Sequence, residues 1–160
     1  MQPVICITRK QFEKGRDVFT ACSDFSCRSV PAEEERLAQK IIDKQAYAAI
    51  VGGSETYCDQ LYKALPEGGV IARFGVGHEG IDKAKATQHG LLATNTPGTL
   101  EDSVAEHTVL LMGCAARKIA EVHRHIRNNH WEPVIGSELR DKNLLIVGCG
   151  RIGCRTARIA

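Results

Sequence analysis

The sequence predicts an α/β fold in which helices cover both faces of a parallel sheet. Short runs rich in β-branched residues alternate with longer runs of helical period through the first part of the chain. Most of the short runs are apolar rather than alternating, as strands are when both faces of their sheet are covered. Together these observations indicate a doubly wound parallel sheet.

The predicted sheet has five strands in the first hundred residues. The first candidate strand is rich in β-branched residues, and the other four are followed directly by proline, glycine or asparagine. The strands are expected at residues 3–8, 25–30, 46–51, 69–74 and 91–94.

Three helices are predicted between these strands. Pro31 suits the first turn of a helix and is followed by three glutamates, which favour the positive end of the helix dipole. Ser54 is the expected N-cap of a second helix. A third helix over 81–89 is expected to end at Gly90. The apolar positions expected to face the core are Leu37, Ala38, Ile41 and Ile42 in the first helix and Tyr57, Leu61 and Leu65 in the second.

A single long helix is predicted over 100–129, because apolar positions recur every three or four residues there. Such a helix is roughly 40 Å long, which is more than a small domain needs, so it is expected to connect two bodies or to pack against a partner subunit. The positions of its apolar face are Val104, Thr108, Leu111, Ala115, Ile119, Val122 and Ile126.

A dinucleotide fingerprint follows a predicted strand at 144–147. Gly148, Gly150 and Gly153 form G-x-G-x-x-G between this strand and the start of a helix, which is the context that the motif requires. The first glycine permits the tight turn, the second lets a pyrophosphate approach, and the third allows close helix–strand packing. A glycine-rich turn of some other α/β protein is the alternative. The acidic residue that would confirm the motif is expected about 20 positions further on, beyond Ala160.

A second glycine cluster spans residues 73–80 and follows the predicted fourth strand. Ligands of open α/β sheets bind at this carboxyl edge, and successive backbone N–H groups in such a loop bind anions. A tight turn without a ligand explains the same composition equally well.

Composition excludes several other classes of protein. The 160 residues carry 21 Lys and Arg against 19 Asp and Glu, which is too balanced for a nucleic-acid partner. With 43% hydrophobic residues the chain is not disordered, yet no apolar run is long enough for a membrane span. The start of the chain lacks the pattern of a secretory signal.

The seven cysteines are odd in number and scattered, without a C-x-x-C pair, and indicate reduced thiols in a cytoplasmic protein. Cys6, Cys114 and Cys149 lie in apolar runs and are expected in the core. No metal site is expected, because His123 and His125 are two residues apart and point to different sides of a helix.

Five motifs, in this order and spacing, resemble the NAD-dependent D-isomer-specific 2-hydroxyacid dehydrogenases. The phosphoglycerate and glycerate/hydroxypyruvate branches are the most similar. The resemblance is dense from about residue 69 onward and loose before it. The motifs are RFGVGHEGID at 73–82, NTPG at 95–98, VAEHT at 104–108, GSEL at 136–139 and GCGRIG at 148–153.

The resemblance implies a flavodoxin-like substrate domain at 1–98. It implies that 99–160 form a linking helix and the truncated first strand–turn–helix of a Rossmann NAD domain. The implied cofactor is NAD, with NADP not excluded, and the implied substrate is a small 2-hydroxy or 2-keto acid. A homodimer through the long helix is also implied.

Site residues follow from the same resemblance. Gly75, Val76 and Gly77 match the loop that binds the substrate carboxylate, and Val76 and Thr108 match positions near the cofactor. The pyrophosphate-binding positions are Gly148, Gly150, Arg151, Ile152 and Gly153. The catalytic arginine, its acidic partner and the acid–base histidine are expected beyond residue 160, so this chain is expected to be inactive alone.

The sequence also departs from the family pattern. His78, Glu79 and Gly80 stand where an apolar residue, Asp and Asn are common, and Asp141 replaces a frequent Gly. A non-enzymatic binding or regulatory module, similar to the corepressor-like relatives of this family, is the alternative function. Another Rossmann protein, such as a methyltransferase, is disfavoured by the motifs at 73–108.

Overall fold

The computed structural model describes residues 2–160, which divide after Pro97 into two compact units. We call residues 2–97 the sheet unit and Gly98–Ala160 the C-terminal unit. No helix within residues 2–160 is long and apolar enough to cross a membrane.

The sheet unit contains a five-stranded, fully parallel sheet in the order β2-β1-β3-β4-β5. This confirms the predicted fold class, and all five strands lie within two residues of their predicted positions. In register, Cys6 of the second strand in this order pairs with Arg28 on one side and Ala49 on the other. The strands are β1 (Val4–Thr8), β2 (Ser26–Val30), β3 (Ala48–Val51), β4 (Val70–Arg73) and β5 (Leu92–Thr94).

Eight helices are described along the chain. Five belong to the sheet unit, and their packing against the strands buries a continuous apolar core that includes Leu37, Leu61 and Ile71. The helices of the sheet unit are α1 (Arg9–Lys14), α2 (Arg16–Ala21), α3 (Glu34–Asp43), α4 (Gln60–Ala64) and α5 (Lys83–Gln88). Those of the C-terminal unit are α6 (Glu101–Ala116), α7 (Ile119–Arg127) and α8 (Arg151–Ile159).

The predicted helix after Ser54 begins later than expected. Residues 55–57 are extended instead: the Tyr57 N–H donates to the Gly80 carbonyl at 3.0 Å, and Tyr57 forms an isolated parallel bridge with Ile81. Because this pairing uses the backbone of the segment, α4 begins only at Gln60. Tyr57, Leu61 and Leu65 are nevertheless buried, as predicted.

Other helix predictions in the sheet unit need smaller corrections. Helix α3 begins at Glu34 rather than at Pro31, and the two short helices α1 and α2 were not predicted. Ile42 is exposed, whereas the other three predicted core positions of α3 are buried, so the apolar stripe is narrower than the pattern indicated. Helix α5 is followed by Gly90 in a left-handed conformation (φ 67°), as predicted.

The prediction of one continuous helix over 100–129 is wrong. Lys118 adopts a left-handed conformation (φ 52°) and separates α6 from α7. The Ala116 carbonyl accepts the Ser137 N–H at 2.8 Å, so the GSEL segment caps the end of α6. Gly136 fits there because a Cβ on it would lie 2.6 Å from the same carbonyl oxygen. The break therefore comes from a contact distant in sequence, which periodicity cannot reveal.

The predicted strand at 144–147 is not formed. Within residues 2–160 it has no partner strand, and a strand needs a neighbour to satisfy its backbone hydrogen bonds. Leu145 and Val147 are consequently 86% and 91% exposed. That residues after about 131 are poorly ordered or pack against another copy stays a prediction.

The cysteine predictions are correct only in part. Cys6 is fully buried, and burial raises the pKa of its thiol to about 11, with Lys44 opposing the shift. Cys114 and Cys149 are exposed rather than in the core. Cys114 lies on a helix whose neighbouring leucines are themselves exposed, and the glycine turn carries Cys149 away from the apolar run that precedes it.

Candidate functional site

The loop 75–77 after β4 is anchored through its carbonyl groups. The Thr96 N–H, the Asn95 side-chain amide and the Arg73 Nε–H donate to the carbonyl oxygens of its first, second and third residues, at 3.0, 2.8 and 2.7 Å. These bonds fix the loop at the carboxyl edge of the sheet, where open α/β proteins bind ligands.

The N–H groups of Val76 and Gly77 take no part in this anchoring. Neither donates a hydrogen bond to an acceptor among residues 2–160. Gly75 has φ 142°, a conformation that side chains with a Cβ rarely adopt, so a glycine is required at the start of the loop. With its carbonyls bonded and two consecutive N–H groups unbonded, the loop has the donors of an anion nest. The geometry thus favours the anion-binding interpretation of this glycine cluster over a turn without a ligand.

Arg73 places a positive charge beside this loop. It is the last residue of β4, its guanidinium packs against Gly53, and its buried Nη1 has no hydrogen-bond partner within the described chain. A buried guanidinium nitrogen without an acceptor is well suited to a carboxylate ligand. The sequence analysis did not single out Arg73 as a site residue, although a cation at the end of a strand just before a glycine-rich loop is a signal for one.

Two further polar groups lie near this arginine. The Glu55 Oε2 and Tyr57 hydroxyl atoms are also buried without a partner among residues 2–160. Burial raises the pKa of Tyr57, the negative charge of Glu55 raises it further, and Arg73 opposes the shift. Tyr57 is therefore a neutral hydroxyl over the whole physiological range and is available as a hydrogen-bond donor.

Glu79 lies next to Gly77 and is one of the departures from the family pattern. Its own backbone N–H lowers the pKa of the carboxyl, and His78 and Arg73 lower it further against the effect of burial. The side chain is consequently a carboxylate beside the loop, and a Cβ on Gly77 would lie 2.8 Å from its Oε2.

The glycine turn of the C-terminal unit uses its three glycines differently. Gly148 has φ 90°, which is the left-handed conformation of a tight turn. A Cβ on Gly153 would collide with the Gly148 carbonyl and lie 3.2 Å from the Ile146 side chain, whereas one on Gly150 would meet nothing within 4 Å. The open space at Gly150, the N-cap of α8, is where a pyrophosphate would approach.

A charged cavity of about 380 Å³ lies beside this turn, within the C-terminal unit. Glu101 is 8% exposed and accepts the Gly98 N–H at 2.7 Å; this bond is the main reason that its pKa lies below the ordinary value. The Arg155 Nε lies 3.1 Å from the Asp102 Oδ1, so these two residues form an ion pair. The Arg151 Nη1 lies 4.0 Å from the Glu101 Oε1, which is a longer contact. The cavity is lined by Gly98, Glu101, Asp102, Arg151, Cys154, Arg155 and Arg158.

The remaining predicted cofactor positions also belong to the C-terminal unit. The Thr108 hydroxyl donates to the Val104 carbonyl at 2.7 Å, within α6. Ile152 is half-buried in the first turn of α8. Across the described residues, no group of three or more His, Cys, Asp or Glu side chains is arranged to hold a metal ion.

A family model described as D-isomer specific 2-hydroxyacid dehydrogenase, catalytic domain, matches residues 5–154. The chain belongs to this family. The match covers both the loop at 75–77 and the turn that begins at Gly148, and it confirms the resemblance inferred from the five motifs.

Named relatives give the same family. The chain is 33% identical to a glyoxylate reductase of Thermofilum pendens over 166 residues, which are 98% of this chain and 48% of the relative. It is 40% identical to a D-3-phosphoglycerate dehydrogenase of Archaeoglobus fulgidus over 115 residues, which are 70% of this chain and 22% of the relative. The chain spans about half the length, or less, of the curated relatives it matches.

Solved structures share the fold. An NADPH-dependent glyoxylate/hydroxypyruvate reductase of Sinorhizobium meliloti, in complex with citrate, superimposes with a TM-score of 0.79 at 25% identity. The superposition covers 99% of this chain and 50% of that one.

Proposed function

We propose that this chain supplies the carboxylate-binding loop and the dinucleotide-binding turn of an NAD(P)-dependent D-2-hydroxyacid dehydrogenase. The reaction is hydride transfer between the nicotinamide and carbon 2 of a small 2-keto or D-2-hydroxy acid. The observation that carries the proposal is the loop 75–77, whose carbonyls are anchored while the N–H groups of Val76 and Gly77 are unbonded beside the unpaired Nη1 of Arg73.

In this proposal the loop binds and orients the substrate. The two N–H groups and the Arg73 guanidinium hold the carboxylate, which fixes the adjacent carbonyl carbon in one position for reaction. Small monoacids such as glyoxylate or hydroxypyruvate, which appear in the names of similar proteins, present a single carboxylate that these donors can hold.

The turn at 148–153 fits a dinucleotide, because the space at Gly150 is open and α8 begins directly after it. Arg151 and Ile152 stand in the first turn of that helix, and Thr108 is assigned to the cofactor by resemblance. When bound, NAD(P)H supplies the hydride. Both NAD and NADP are compatible with these residues, and the named S. meliloti relative is NADPH-dependent.

Two further properties belong to the same proposal. Exposed apolar side chains along α6 and α7 support a homodimer through these helices. The second property is a cytoplasmic location, which was predicted from the cysteine pattern.

The binding of a carboxylate by the loop can be measured on the chain itself. Titration of the isotope-labelled chain with glyoxylate or hydroxypyruvate should shift the amide resonances of Val76 and Gly77 in a saturable manner. Arg73→Gln should abolish the saturable shifts, because the cation is lost. Arg28→Gln, which removes an exposed arginine of β2, is the matched control and should leave them unchanged.

Shifts that spread over the sheet unit without saturation, or that persist in Arg73→Gln, would contradict the assignment of the loop. Catalysis is a separate matter, since no histidine of this chain is assigned the acid–base role. We expect no oxidation of NADH with glyoxylate or hydroxypyruvate by a verified 160-residue chain. Turnover by that chain would show that the proposed division of catalytic residues is wrong.

A further inference from the structure

The turn at 148–153 brings two cysteines together. Cys149 precedes Gly150, the N-cap of α8, and Cys154 lies in the first turns of that helix. Their Sγ atoms are 3.4 Å apart, although four residues separate them in the sequence. The Cys154 N–H donates to the Gly150 carbonyl at 2.9 Å, and the Cys154 thiol donates to the Cys149 carbonyl at 3.4 Å. The start of the helix therefore holds the two sulfurs side by side.

Both thiols are accessible and lie at the positive end of a helix. Each cysteine is exposed, unlike the buried Cys6. The two thiols are within hydrogen-bonding distance, and their hydrogen bond is the main reason that the pKa of Cys149 lies above its ordinary value. Oxidants can reach exposed thiols, and a second thiol 3.4 Å away can condense with the sulfenic acid that forms first.

We propose that Cys149 and Cys154 form an oxidisable dithiol, which hydroperoxides convert to an intramolecular disulfide. One thiolate attacks hydrogen peroxide, so that a sulfur–oxygen bond forms, the oxygen–oxygen bond breaks, and the departing hydroxide takes up a proton to become water. The second thiol then attacks this sulfenic acid, so that the sulfur–sulfur bond forms and a second water leaves. In total, two thiols and one hydrogen peroxide give one disulfide and two waters.

Disulfide formation reshapes the turn. The sulfurs must approach from 3.4 Å to the S–S bond length of about 2.05 Å. Cys154 is fixed by its helix, so Cys149 and the adjoining Gly148 and Gly150 take up most of the movement. These glycines form the surface assigned to the pyrophosphate. Weaker dinucleotide binding in the oxidised state is therefore expected; this consequence, unlike the disulfide itself, rests on the proposed function.

Tryptic mapping tests the disulfide without reference to the cofactor. The reduced chain is treated with hydrogen peroxide, alkylated with iodoacetamide and digested with trypsin without a reductant. Cleavage after Lys142, Arg151 and Arg155 separates the two cysteines, into NLLIVGCGR and IGCR. A disulfide joins these two peptides into one species that dithiothreitol splits. We expect this joined species to appear early in the reaction.

The other cysteines provide internal comparisons. Cys22 and Cys27 have the same spacing but share the single tryptic peptide 17–28, so a bond between them removes two hydrogens without joining peptides. Cys149→Ser and Cys154→Ser should each abolish the joined species, whereas Cys114→Ser, at an exposed cysteine of α6, should leave it unchanged. The proposal would be overturned if the two peptides were recovered separately, each alkylated or each as a sulfinic acid, from a chain whose other cysteines had been oxidised.

The expected weakening of dinucleotide binding by the disulfide is measured separately. NADH binding is compared between the reduced and the oxidised chain. We expect the oxidised chain to bind about tenfold more weakly, as when one charge-assisted hydrogen bond to the pyrophosphate is lost. Dithiothreitol should restore the affinity, and peroxide should not change it in Cys154→Ser. Equal affinity in both states would show that the disulfide does not regulate the turn. A reduced chain without affinity for NADH would instead contradict the proposed function, while the mapping still decides the disulfide.

Discussion

At the residue scale, the glycines of the chain's two functional segments meet three different physical requirements. Gly75 and Gly148 are needed for their positive φ angles, and Gly153 is needed because a side chain would collide with the backbone of its own turn. Gly150 has neither constraint, since its surroundings are open and its φ is −80°. A requirement for glycine at Gly150 therefore points to a ligand rather than to the fold.

Substitution of these glycines separates fold from binding. Gly153→Ala should lower the thermal stability of the chain and loosen α8, because its Cβ meets the Gly148 carbonyl. Gly150→Ala should leave the unfolding transition within about 1 °C, since a Cβ there meets nothing, and should weaken NADH binding. Thermal denaturation followed by circular dichroism, combined with NADH titration, distinguishes the two. Equal loss of stability in both variants would refute this division.

The loop at 75–77 makes a second prediction possible. Gly75→Ala should destabilise the chain by about 1–2 kcal/mol, because a Cβ strains the backbone at φ 142°. The control is Gly113→Ala, where a Cβ also meets open space but the backbone is helical, and a gain of roughly 0.5–1 kcal/mol is expected. Urea unfolding measures both changes. If Gly75→Ala proves neutral, the loop does not hold the described conformation.

Much of the candidate site was predictable from the sequence, but its partners were not. The glycine pattern at 148–153 indicates its own turn, because φ and close-contact requirements act within six residues. The role of Arg73 depends instead on Gly53 and on Gly77, which the folded sheet brings to its guanidinium. The pairing of Cys149 with Cys154 depends on where α8 begins, and a spacing of four residues does not reveal that.

At the element scale, Glu34 shows how a helix can be capped by a residue from another helix. Its carboxylate accepts the N–H groups of Cys58, Asp59 and Leu61 at distances between 2.7 and 3.2 Å. These N–H groups lie at and just before the start of α4, which has no side-chain cap of its own. Burial raises the pKa of Glu34, but the three donors together outweigh it, so the pKa lies below its ordinary value.

This cap gives stability a specific pH dependence. Because the folded pKa is below the unfolded value, the stabilisation is fully present above about pH 4.5 and is lost as the pH falls through the folded pKa. Glu34→Gln should therefore cost about 1–2 kcal/mol at pH 7 and progressively less in acid. Urea unfolding between pH 3 and pH 7 measures it. Glu35→Gln, at an exposed position of the same helix, should show no such trend.

The break between α6 and α7 is tested by a residue that a continuous helix would not tolerate. Lys118→Gly should stabilise the chain by roughly 0.5–1 kcal/mol, because glycine adopts φ 52° without strain. In an uninterrupted helix the same change would cost about 1 kcal/mol. Arg124→Gly, inside α7, is the control and should be destabilising. If both Lys118→Gly and Arg124→Gly destabilise the chain, the result would support a single continuous helix instead of two.

The elements themselves were predictable to different degrees for physical reasons. The strands β1, β3 and β4 followed from local apolar composition, since strands inside a parallel sheet are covered on both faces. The end of α6 could not be predicted in this way, because the Ser137 N–H that donates to the Ala116 carbonyl lies 21 residues further along the chain. The start of α4 could not be predicted either, because Tyr57 pairs with the backbone of Gly80 and Ile81 before any helix begins.

At the scale of the whole molecule, the chain leaves a large apolar surface uncovered. Leu110 and Leu111 on α6 are 67% and 54% exposed, and Ile119 and Ile126 on α7 are 49% and 47% exposed. Trp131, Ile135 and Leu139 extend the exposed apolar series along the chain. Surfaces of this kind mark sites of protein association.

We expect the chain to form a homodimer in which Leu111 and Ile119 are buried. Leu111→Glu should convert the dimer to monomer, because an unpaired charge would be buried in the contact. Sedimentation velocity over a range of concentrations measures the change. Val18→Glu, at a similarly exposed apolar residue of α2, is the control and should remain dimeric. A wild-type chain that is monomeric throughout that range would refute the proposed assembly.

The sheet unit has a further consequence for how the protein is made. All five strands and their pairings lie before Pro97, and the Thr96 N–H completes the anchoring of the loop at 75–77. At about 5–20 residues per second, roughly 2.5–10 s separate the synthesis of Pro97 from that of Gly148. Small α/β domains fold in less time than this. The carboxylate-binding loop is therefore expected to be formed on the nascent chain before the turn at Gly148 has been translated.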